Sequence, residues 1–228
     1  MECTKLLYEY LGDLIVLDVG GATTDLHSVT VESDQVARLM ISPEPKAKRT
    51  VEGDLGVYVN RWKVVESIGE EKLREQCREQ GFSMEHALET YRAIPKTEEE
   101  VKLVELLTRE AVVKAAERHA GRLRYIYGPS GRSTVAEGKD LTQVKYIVGT
   151  GGALTRLPHR EEIMREITRC NESGMLLLPG EHAQILVDHD YIMASLGVLS
   201  KRYPQAAARL LEQSLGITFP ERKAEEPV

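Results

Sequence analysis

The spacing of apolar and polar positions changes along the chain and predicts strands first and helices afterwards. Residues 14–17 are all apolar, which is typical of a short strand buried on both faces. Residues 24–31 alternate between polar and apolar side chains and predict a second strand, and residues 36–41 predict a third. After a break that contains prolines, residues 46–51 are expected to resume extended structure. The close spacing of the first three predicted strands, over residues 14–17, 24–31 and 36–41, implies hairpins.

The middle of the chain has the composition of helices. Residues 70–118 are rich in Glu, Lys, Arg, Leu and Ala, and three helices are predicted there, separated by a glycine and a proline. Ser83 and Thr97 stand where N-caps belong, and Glu100 completes a capping-box pattern with Thr97. After Thr97, apolar residues recur at spacings of three and four, which predicts one long amphipathic helix.

The last third returns to alternating strands and helices. Residues 128–139 hold several glycines, prolines and serines and predict a loop. The other predicted elements are strands over residues 146–148 and 184–187 and helices over residues 159–169, 188–201 and 205–214. Residues 220–228 are charged and are expected to form a disordered tail.

Composition and charge narrow the class of protein. The chain has 228 residues and a formal net charge of −6, which argues against the basic surface that nucleic acid requires. Its apolar runs are far shorter than the roughly 20 residues that a membrane-spanning helix needs. The three cysteines are widely spaced and predict neither a disulfide framework nor a zinc site, and the acidic start lacks the basic segment of an export signal. We therefore expect a cytoplasmic protein that binds neither nucleic acid nor a membrane.

The strongest candidate for chemistry is the run Asp18-Val19-Gly20-Gly21-Ala22-Thr23-Thr24-Asp25, which follows the first predicted strand. Glycines let the backbone approach a phosphate and aim N–H groups at its oxygens, and threonine adds a hydroxyl donor. An aspartate at a strand end can hold the water shell of Mg²⁺. Two carboxylates beside an anion cradle make sense chiefly with a divalent cation or an attacking water. The alternative is a plain β-hairpin with glycines in its turn.

A second glycine-rich turn follows the strand predicted over residues 146–148. Its residues Gly149, Gly151 and Gly152 would admit a flat ring against bare backbone. An ordinary strand-to-helix turn explains the same glycines, so this signal has value mainly in combination with the first. Three of residues 194–197 are small, namely Ala194, Ser195 and Gly197, and close helix packing in the core is the simpler interpretation for them.

Taken together, these segments resemble the second half of the actin, Hsp70 and sugar-kinase ATPase superfamily. More closely, the chain resembles the glutamate mutase-associated MutL or GlmL family, which is unrelated to the mismatch-repair protein of that name. The resemblance covers residues 13–215. It rests on Asp18-Val19-Gly20-Gly21-Ala22-Thr23-Thr24-Asp25-Leu26-His27-Ser28-Val29, Lys48-Arg49-Thr50-Val51-Glu52-Gly53-Asp54-Leu55-Gly56, Arg118-His119-Ala120-Gly121-Arg122 and Gly149-Thr150-Gly151-Gly152-Ala153-Leu154-Thr155. It implies an α/β fold, namely a ribonuclease H-like actin/Hsp70-type ATPase lobe with a mixed sheet flanked by helices and an inserted helical subdomain.

The resemblance also implies a division of the chain, cofactors and a partner. Residues 1–61 and 143–219 would form the nucleotide-binding lobe, and residues 62–142 the inserted, mainly helical subdomain. The family resembles factors that use ATP to release damaged cobalamin from adenosylcobalamin-dependent mutases, so ATP or ADP, Mg²⁺ and such a mutase are expected. By this resemblance, the first lobe of the superfamily, which supplies another phosphate loop, is expected to lie outside this sequence. We therefore expect this chain alone to hydrolyse ATP weakly or not at all.

Residue roles at the phosphates follow by position in the resemblance. Asp18 would organise Mg²⁺ or the attacking water, and Asp25 would support the hydration shell of the metal. Gly20, Gly21 and Thr23 would cradle the β- and γ-phosphates. One departure is that the third glycine found in many relatives is an alanine in this chain.

The resemblance assigns the second glycine turn to adenosine. Gly149 would belong to this adenosine segment, and Gly151 and Gly152 would pack beneath the adenine. The turn from Gly152 to Pro158 is one residue longer than is common in relatives. This departure concerns the adenine end of the site.

Two other functions fit the same residues. A small-molecule kinase of the superfamily would use Asp18 as its catalytic carboxylate, and a scaffold protein would keep only the surface of the lobe. Two weaker motifs lead elsewhere. Residues 131–140 have the wrong glycine spacing for a P-loop and predict a surface loop, and Asp188 stands where a helix cap belongs.

Overall fold

The computed structural model describes residues 1–129 and 131–220, and within them it has seven strands and ten α-helices. The strands are β1 (Leu14–Val19), β2 (Thr24–Val29), β3 (Ala47–Glu52), β4 (Arg122–Gly128), β5 (Gly131–Glu137), β6 (Tyr146–Thr150) and β7 (Gln184–Val187). The helices are α1 (Glu2–Leu11), α2 (Asp34–Ala37), α3 (Arg61–Ile68), α4 (Glu70–Glu79), α5 (Met84–Thr90), α6 (Glu98–His119), α7 (Gly151–Arg156), α8 (Arg160–Arg165), α9 (Met193–Leu199) and α10 (Pro204–Leu215). A short 3₁₀ helix over Glu166–Thr168 follows α8.

Five strands form one mixed sheet in the order β3-β2-β1-β6-β7. The first three make an antiparallel meander, which short turns can connect, while β6 runs parallel to β1 and β7 parallel to β6. The hairpin predicted from the close strand spacing is confirmed for β1 and β2, while β2 and β3 are antiparallel neighbours joined by residues 30–46, which include α2. Because β1 and β6 are parallel neighbours, their carboxyl ends lie at the same edge of the sheet.

Helices cover both faces of this sheet, which confirms an α/β fold. Alternate residues of β1 enter two different cores: Leu14 and Val16 pack with α1, α9 and α10, while Ile15 and Leu17 pack with the helices of the other face. All four side chains are at most 3% exposed. The prediction of a strand buried on both faces is therefore confirmed.

The three helices predicted over residues 70–118 are α4, α5 and α6. The capping box is present: the Thr97 hydroxyl accepts the Glu100 N–H at 3.2 Å, and the Glu100 carboxylate accepts the Thr97 N–H at 3.0 Å. Arg92 also donates to the buried Glu100 carboxylate, at 2.8 Å. Helix α6 packs against the sheet and shares one core with it. The division into a lobe and an inserted subdomain stays a prediction.

The strand predicted over residues 36–41 is wrong. Residues 34–37 form the short helix α2, because the Ser33 hydroxyl accepts the Val36 N–H at 3.2 Å and caps the helix. Of the predicted strand, Met40 makes an isolated bridge to Ala136. A local capping residue has outweighed a short apolar run.

The loop predicted over residues 128–139, and with it the surface loop predicted over residues 131–140, is also wrong. Strands β4 and β5 form a separate two-stranded sheet, in which Gly128 pairs with Gly131 at the turn end. Gly128 and Gly131 stand at the turn end of this hairpin, and residues 122–127 pair with residues 132–137 along its strands.

Other boundaries moved less. Strands β6 and β7 confirm their predictions, while the helix predicted from residue 188 begins only at Met193 in α9. Helices α1 and α3 were not predicted. No helix within the described ranges combines the length and the apolar character needed to cross a bilayer. The predicted disordered tail lies, from residue 221 onward, outside the described residues.

Candidate functional site

The two glycine-rich segments meet at one edge of the five-stranded sheet. Asp18 near the end of β1 is opposite Asp25 on β2 and Thr150 on β6. Helix α7 begins there at Gly151, whose φ of +86° favours glycine. A Cβ at Gly151 would lie 2.5 Å from Oδ1 of Asp18. The structure therefore brings Asp18 and the second glycine turn together at the carboxyl ends of parallel strands, where open α/β sheets bind ligands.

In the turn between β1 and β2, the carbonyl groups accept hydrogen bonds, whereas three of the four backbone N–H groups donate none within the described residues. The Gly20 N–H donates to the Thr23 carbonyl at 2.9 Å and closes the turn. The Gly20 and Gly21 carbonyls accept the three N–H groups of residues 57–59 at 2.7 to 3.2 Å. In the described part of the chain, the N–H groups of residues 21–23 donate to no acceptor. Successive free N–H groups of this kind form an anion-binding concavity.

A neighbouring segment fixes the shape of this turn. The Asn60 side-chain amide donates to the Ala22 carbonyl at 2.9 Å, and the Thr24 hydroxyl donates to the Leu55 carbonyl at 2.7 Å. Gly56 lies so close to the Ala22 backbone that a Cβ at this position would overlap it. The turn is thus held by bonds from residues 55–60 rather than by its own sequence alone.

The two predicted carboxylates have different surroundings. Asp25 is an ion-pair partner: its Oδ1 accepts from the Arg49 guanidinium at 2.7 Å, and its Oδ2 accepts from the Thr23 hydroxyl at 3.1 Å. Asp18 makes no side-chain hydrogen bond or ion pair with any described residue. Burial raises the pKa of Asp18, and the nearby Asp25 and Asp188 carboxylates raise it further. Asp18 is therefore the carboxylate that is free to take a ligand.

The donor set at this edge suits a magnesium ion that keeps most of its water. No group of three or more His, Cys, Asp or Glu side chains within residues 1–129 and 131–220 is placed to hold a metal. Mg²⁺ is commonly bound by one or two carboxylates together with substrate phosphates and water. Asp18 beside free amide groups fits that arrangement, whereas Asp25 is already occupied by Arg49 and Thr23.

An apolar cavity of about 540 Å³ opens beside the turn. Its wall includes Gly20 and Gly21 on one side, Gly152 on another, and the rings of Tyr58 and Tyr91. The two rings lie 5.7 Å apart, and the Tyr91 hydroxyl donates to a backbone carbonyl, which fixes the ring. This volume is within the usual range of roughly 300 to 1,000 Å³ for small-molecule sites.

The three predicted adenosine-segment glycines have three different environments. A Cβ at Gly149 would meet the Met164 sulfur at 2.5 Å, so this glycine permits packing of α8. Gly151 lies against Asp18, and Gly152 faces the cavity with no atom near its missing Cβ. Of the three, Gly152 lines the cavity. The small residue Gly197 in α9 packs against Cys3 of α1, which supports the core-packing interpretation.

Sequence reasoning missed most of the role of Asp188. Its buried carboxylate accepts the N–H groups of Ile192 and Met193 at 3.2 and 3.0 Å, which confirms the predicted cap of α9. It also accepts the Thr150 hydroxyl at 2.8 Å and the Ser214 hydroxyl at 2.5 Å. Asp188 therefore joins the end of β6 to α9 and α10. The residues around Asp188 form no sequence pattern that predicts hydrogen bonds to Thr150 and Ser214, which are distant in the chain.

Fold and site together define an α/β protein in which a glycine turn with free amides adjoins a partly buried carboxylate and an apolar cavity. A family model described as MutL protein matches residues 1–215. Protein MutL of Clostridium tetanomorphum is 36% identical over 211 residues, which cover 90% of this chain and 46% of that protein. The chain belongs to the MutL protein family, as the sequence predicted. It spans about half the length of this curated relative.

Proposed function

We propose that this chain is the ATP- and ADP-binding half of a chaperone-like reactivating factor for an adenosylcobalamin-dependent mutase such as glutamate mutase. In this proposal it has the actin/Hsp70-type ATPase fold. The mixed sheet with helices on both faces supports that fold, and membership of the MutL family supports the link to the mutase. The contacts of the site support the nucleotide.

The free amide groups of residues 21–23 carry the proposal. Their neighbouring carbonyls are engaged by residues 57–60, so the turn offers donors and few acceptors to a ligand. A phosphate chain is the ligand that such a turn suits best. The Thr23 hydroxyl donates to Asp25 here, and it would have to rotate away from that carboxylate to reach a phosphate.

Asp18 explains why a metal is needed with the phosphates. A bare phosphate beside this desolvated carboxylate would be repelled, because both groups are negative. Bound Mg²⁺ would supply the positive charge that the site lacks. Asp18 would hold its water shell, and Arg49 would keep Asp25 in place beside it.

The cavity suits the base and the sugar of the nucleotide. Its lining includes Gly20 and Gly21, beside which the phosphates would lie, together with Gly152 and the Tyr58 and Tyr91 rings. Aromatic and glycine surfaces of this kind accept the flat face of a purine. We also propose a cytoplasmic location, which the free state of all three cysteines supports.

Calorimetric titration with ADP tests the proposal, with and without Mg²⁺. With Mg²⁺, we expect binding to the unaltered chain and about tenfold or more weaker binding to Asp18→Asn, since one metal-associated carboxylate is lost. In EDTA the order should reverse, because Asp18→Asn removes the negative charge that repels the phosphates.

Asp34→Asn is the matched control, because it makes the same chemical change at an exposed carboxylate outside the cavity wall. It should leave both affinities unchanged. Absence of ADP binding in the presence of Mg²⁺ would contradict the nucleotide proposal and favour a scaffold. Phosphorylation of a small alcohol or acid would favour a kinase instead. Rapid ATP turnover by the chain alone would overturn the expectation that it hydrolyses ATP weakly or not at all.

A further inference from the structure

Residues 122–137, which we call the tyrosine hairpin, form a two-stranded sheet apart from the main sheet. A lone hairpin is marginally stable in water, so its anchorage matters. At its base, Leu123 and Ala136 pack into a small core with Val36 and Leu177. Beyond that base, residues 124–128 and 131–133 are exposed. The hairpin is therefore held at one end, and its outer half is open to solvent.

One face of the tyrosine hairpin is an aromatic row that leads outward from the buried base. Leu123, Tyr125 and Tyr127 share this face because side chains alternate along a strand. Tyr125 is 48% exposed and Tyr127 is 80% exposed, and on the other face Ile126 is 49% exposed. Adjacent exposed apolar side chains of this kind mark interaction surfaces more often than single ones do.

The charge of the hairpin is opposite to that of the whole chain. Residues 122–137 contain three arginines and one glutamate, which gives +2, whereas the whole chain carries −6. Arg124 pairs with Glu137 on the opposite strand. Arg132 lies over the Tyr125 ring at 4.5 Å, and neither Arg132 nor Arg122 has a carboxylate partner among the described residues. Arg132 is opposite Tyr127 on the neighbouring strand and belongs to the tyrosine face, whereas Arg122 lies on the other face at the base of the hairpin. One cationic group is thus available beside the two exposed tyrosines.

We propose that the tyrosine hairpin docks onto an acidic protein surface, with Tyr127 entering an apolar pocket and Arg132 pairing with a carboxylate. Tyrosine and arginine are the residues that most often dominate binding energy at protein interfaces. The partner is a different protein because two copies of this hairpin would bring like charges together. The net charge of −6 on the whole chain repels a long polyanion such as nucleic acid, which would extend past the hairpin, whereas an acidic patch on a protein can be confined to the basic hairpin. This proposal does not depend on nucleotide binding.

Site-specific photo-crosslinking in the source cell tests the docking surface. The photoreactive residue p-benzoylphenylalanine replaces Tyr127 in one strain and Tyr203 in the control strain. Tyr203 is 51% exposed and lies just before α10, so it controls for random collisions at an exposed tyrosine. We expect the position-127 probe, and not the position-203 probe, to link to a protein segment with an excess of Asp and Glu.

Charge dependence gives the second arm of the test. Adding Arg132→Glu to the position-127 chain should lower the yield of that cross-link about tenfold, and raised salt should also lower it. Unchanged circular dichroism of the Arg132→Glu chain would show that the lower yield does not come from misfolding. Unchanged ADP affinity would show that it does not come from a change at the nucleotide site. A cross-link to nucleic acid, to a second copy, to another part of the same polypeptide or to a neutral or basic segment would overturn the proposal. So would equal yields from the two probe positions.

Discussion

The buried carboxylate of Asp188 offers the sharpest test of how the site is held together. Replacing Asp188 with alanine removes the acceptor of four hydrogen bonds in a region that solvent does not reach. The donors are the hydroxyls of Thr150 and Ser214 and two backbone N–H groups at the start of α9. We expect Asp188→Ala to lower the free energy of unfolding strongly.

The magnitude follows from the donors that lose their acceptor. A buried donor left without a partner costs about 1 to 3 kcal/mol. The two hydroxyl groups can rotate toward other acceptors, whereas the two backbone N–H groups cannot, so about 1 kcal/mol for each of the four donors gives a lower estimate of about 4 kcal/mol. This is a large part of the roughly 5 to 15 kcal/mol that stabilises an ordinary domain. Asp188→Asn keeps one acceptor oxygen, so its free energy of unfolding should lie between that of the unaltered chain and that of Asp188→Ala.

Urea unfolding followed by circular dichroism measures this loss. Asp190→Ala is the matched control, because it removes an exposed carboxylate in the same segment, two residues after Asp188. The control should change the free energy of unfolding by less than about 0.5 kcal/mol. If Asp188→Ala lost no more than about 1 kcal/mol, the four hydrogen bonds would not stabilise the fold as argued here.

Two further predictions concern a glycine pair and a buried histidine. Gly151→Ala should weaken ADP binding and lower the unfolding temperature, because the new Cβ would collide with Asp18 and the residue has a φ of +86°. Gly152→Ala should fold normally, because no atom lies within 4 Å of the position of its new Cβ. Equal effects of the two substitutions on the unfolding temperature would contradict this. Burial lowers the pKa of His119 from its ordinary value of 6.5 to about 3, so the unfolded chain binds a proton that the folded chain does not. The free energy of unfolding should therefore fall as pH drops from 6.5 toward 3. When this free energy is measured by urea unfolding at several pH values and plotted against pH, the slope for His119→Gln should be smaller by the equivalent of about one bound proton. An unchanged slope against pH would refute the prediction.

Elements whose stability comes from local pattern or burial were predictable from the sequence. The apolar run of β1 predicted a strand buried on both faces because both sides of it meet helices. The capping box at Thr97 and Glu100 is a local device, and both of its hydrogen bonds form. The sequence did not show that Arg92 would also bond to Glu100, because that contact joins different elements.

The tyrosine hairpin shows why pattern analysis fails where both faces of an element meet solvent. Burial on one face produces the alternation that identifies a strand, and β4 is exposed on both faces beyond its base. Its pairing with β5 depends on a turn between two glycines, which resembles any glycine-rich loop in sequence. The same limit explains the mistaken strand over residues 36–41, where the Ser33 cap decided the structure.

The candidate site was predictable to the extent that its residues form short runs. Asp18 and the Gly20–Gly21 turn stand together in sequence, and the chemistry of carboxylate and glycine pointed to an anion with a cation. The residues that hold the turn in shape, such as Asn60 and Gly56, act through backbone contacts with Ala22. Such contacts depend on the packing of separate segments, which residue spacing does not encode.

The three carboxylates near this edge of the sheet differ in whether the described residues give them hydrogen-bond or ion-pair partners. Asp188 is satisfied by four donors and Asp25 by Arg49 and Thr23, so both stabilise the fold. Asp18 is partly buried without a partner, and its raised pKa shows that its charge is disfavoured there. The Arg49 guanidinium and the amino group of Met1 offset that cost only in part, since no described cation pairs directly with Asp18. A ligand that brings positive charge would explain why this carboxylate is kept at a cost to stability, and in the proposed function Mg²⁺ carried by a nucleotide would bring that charge beside the free amides.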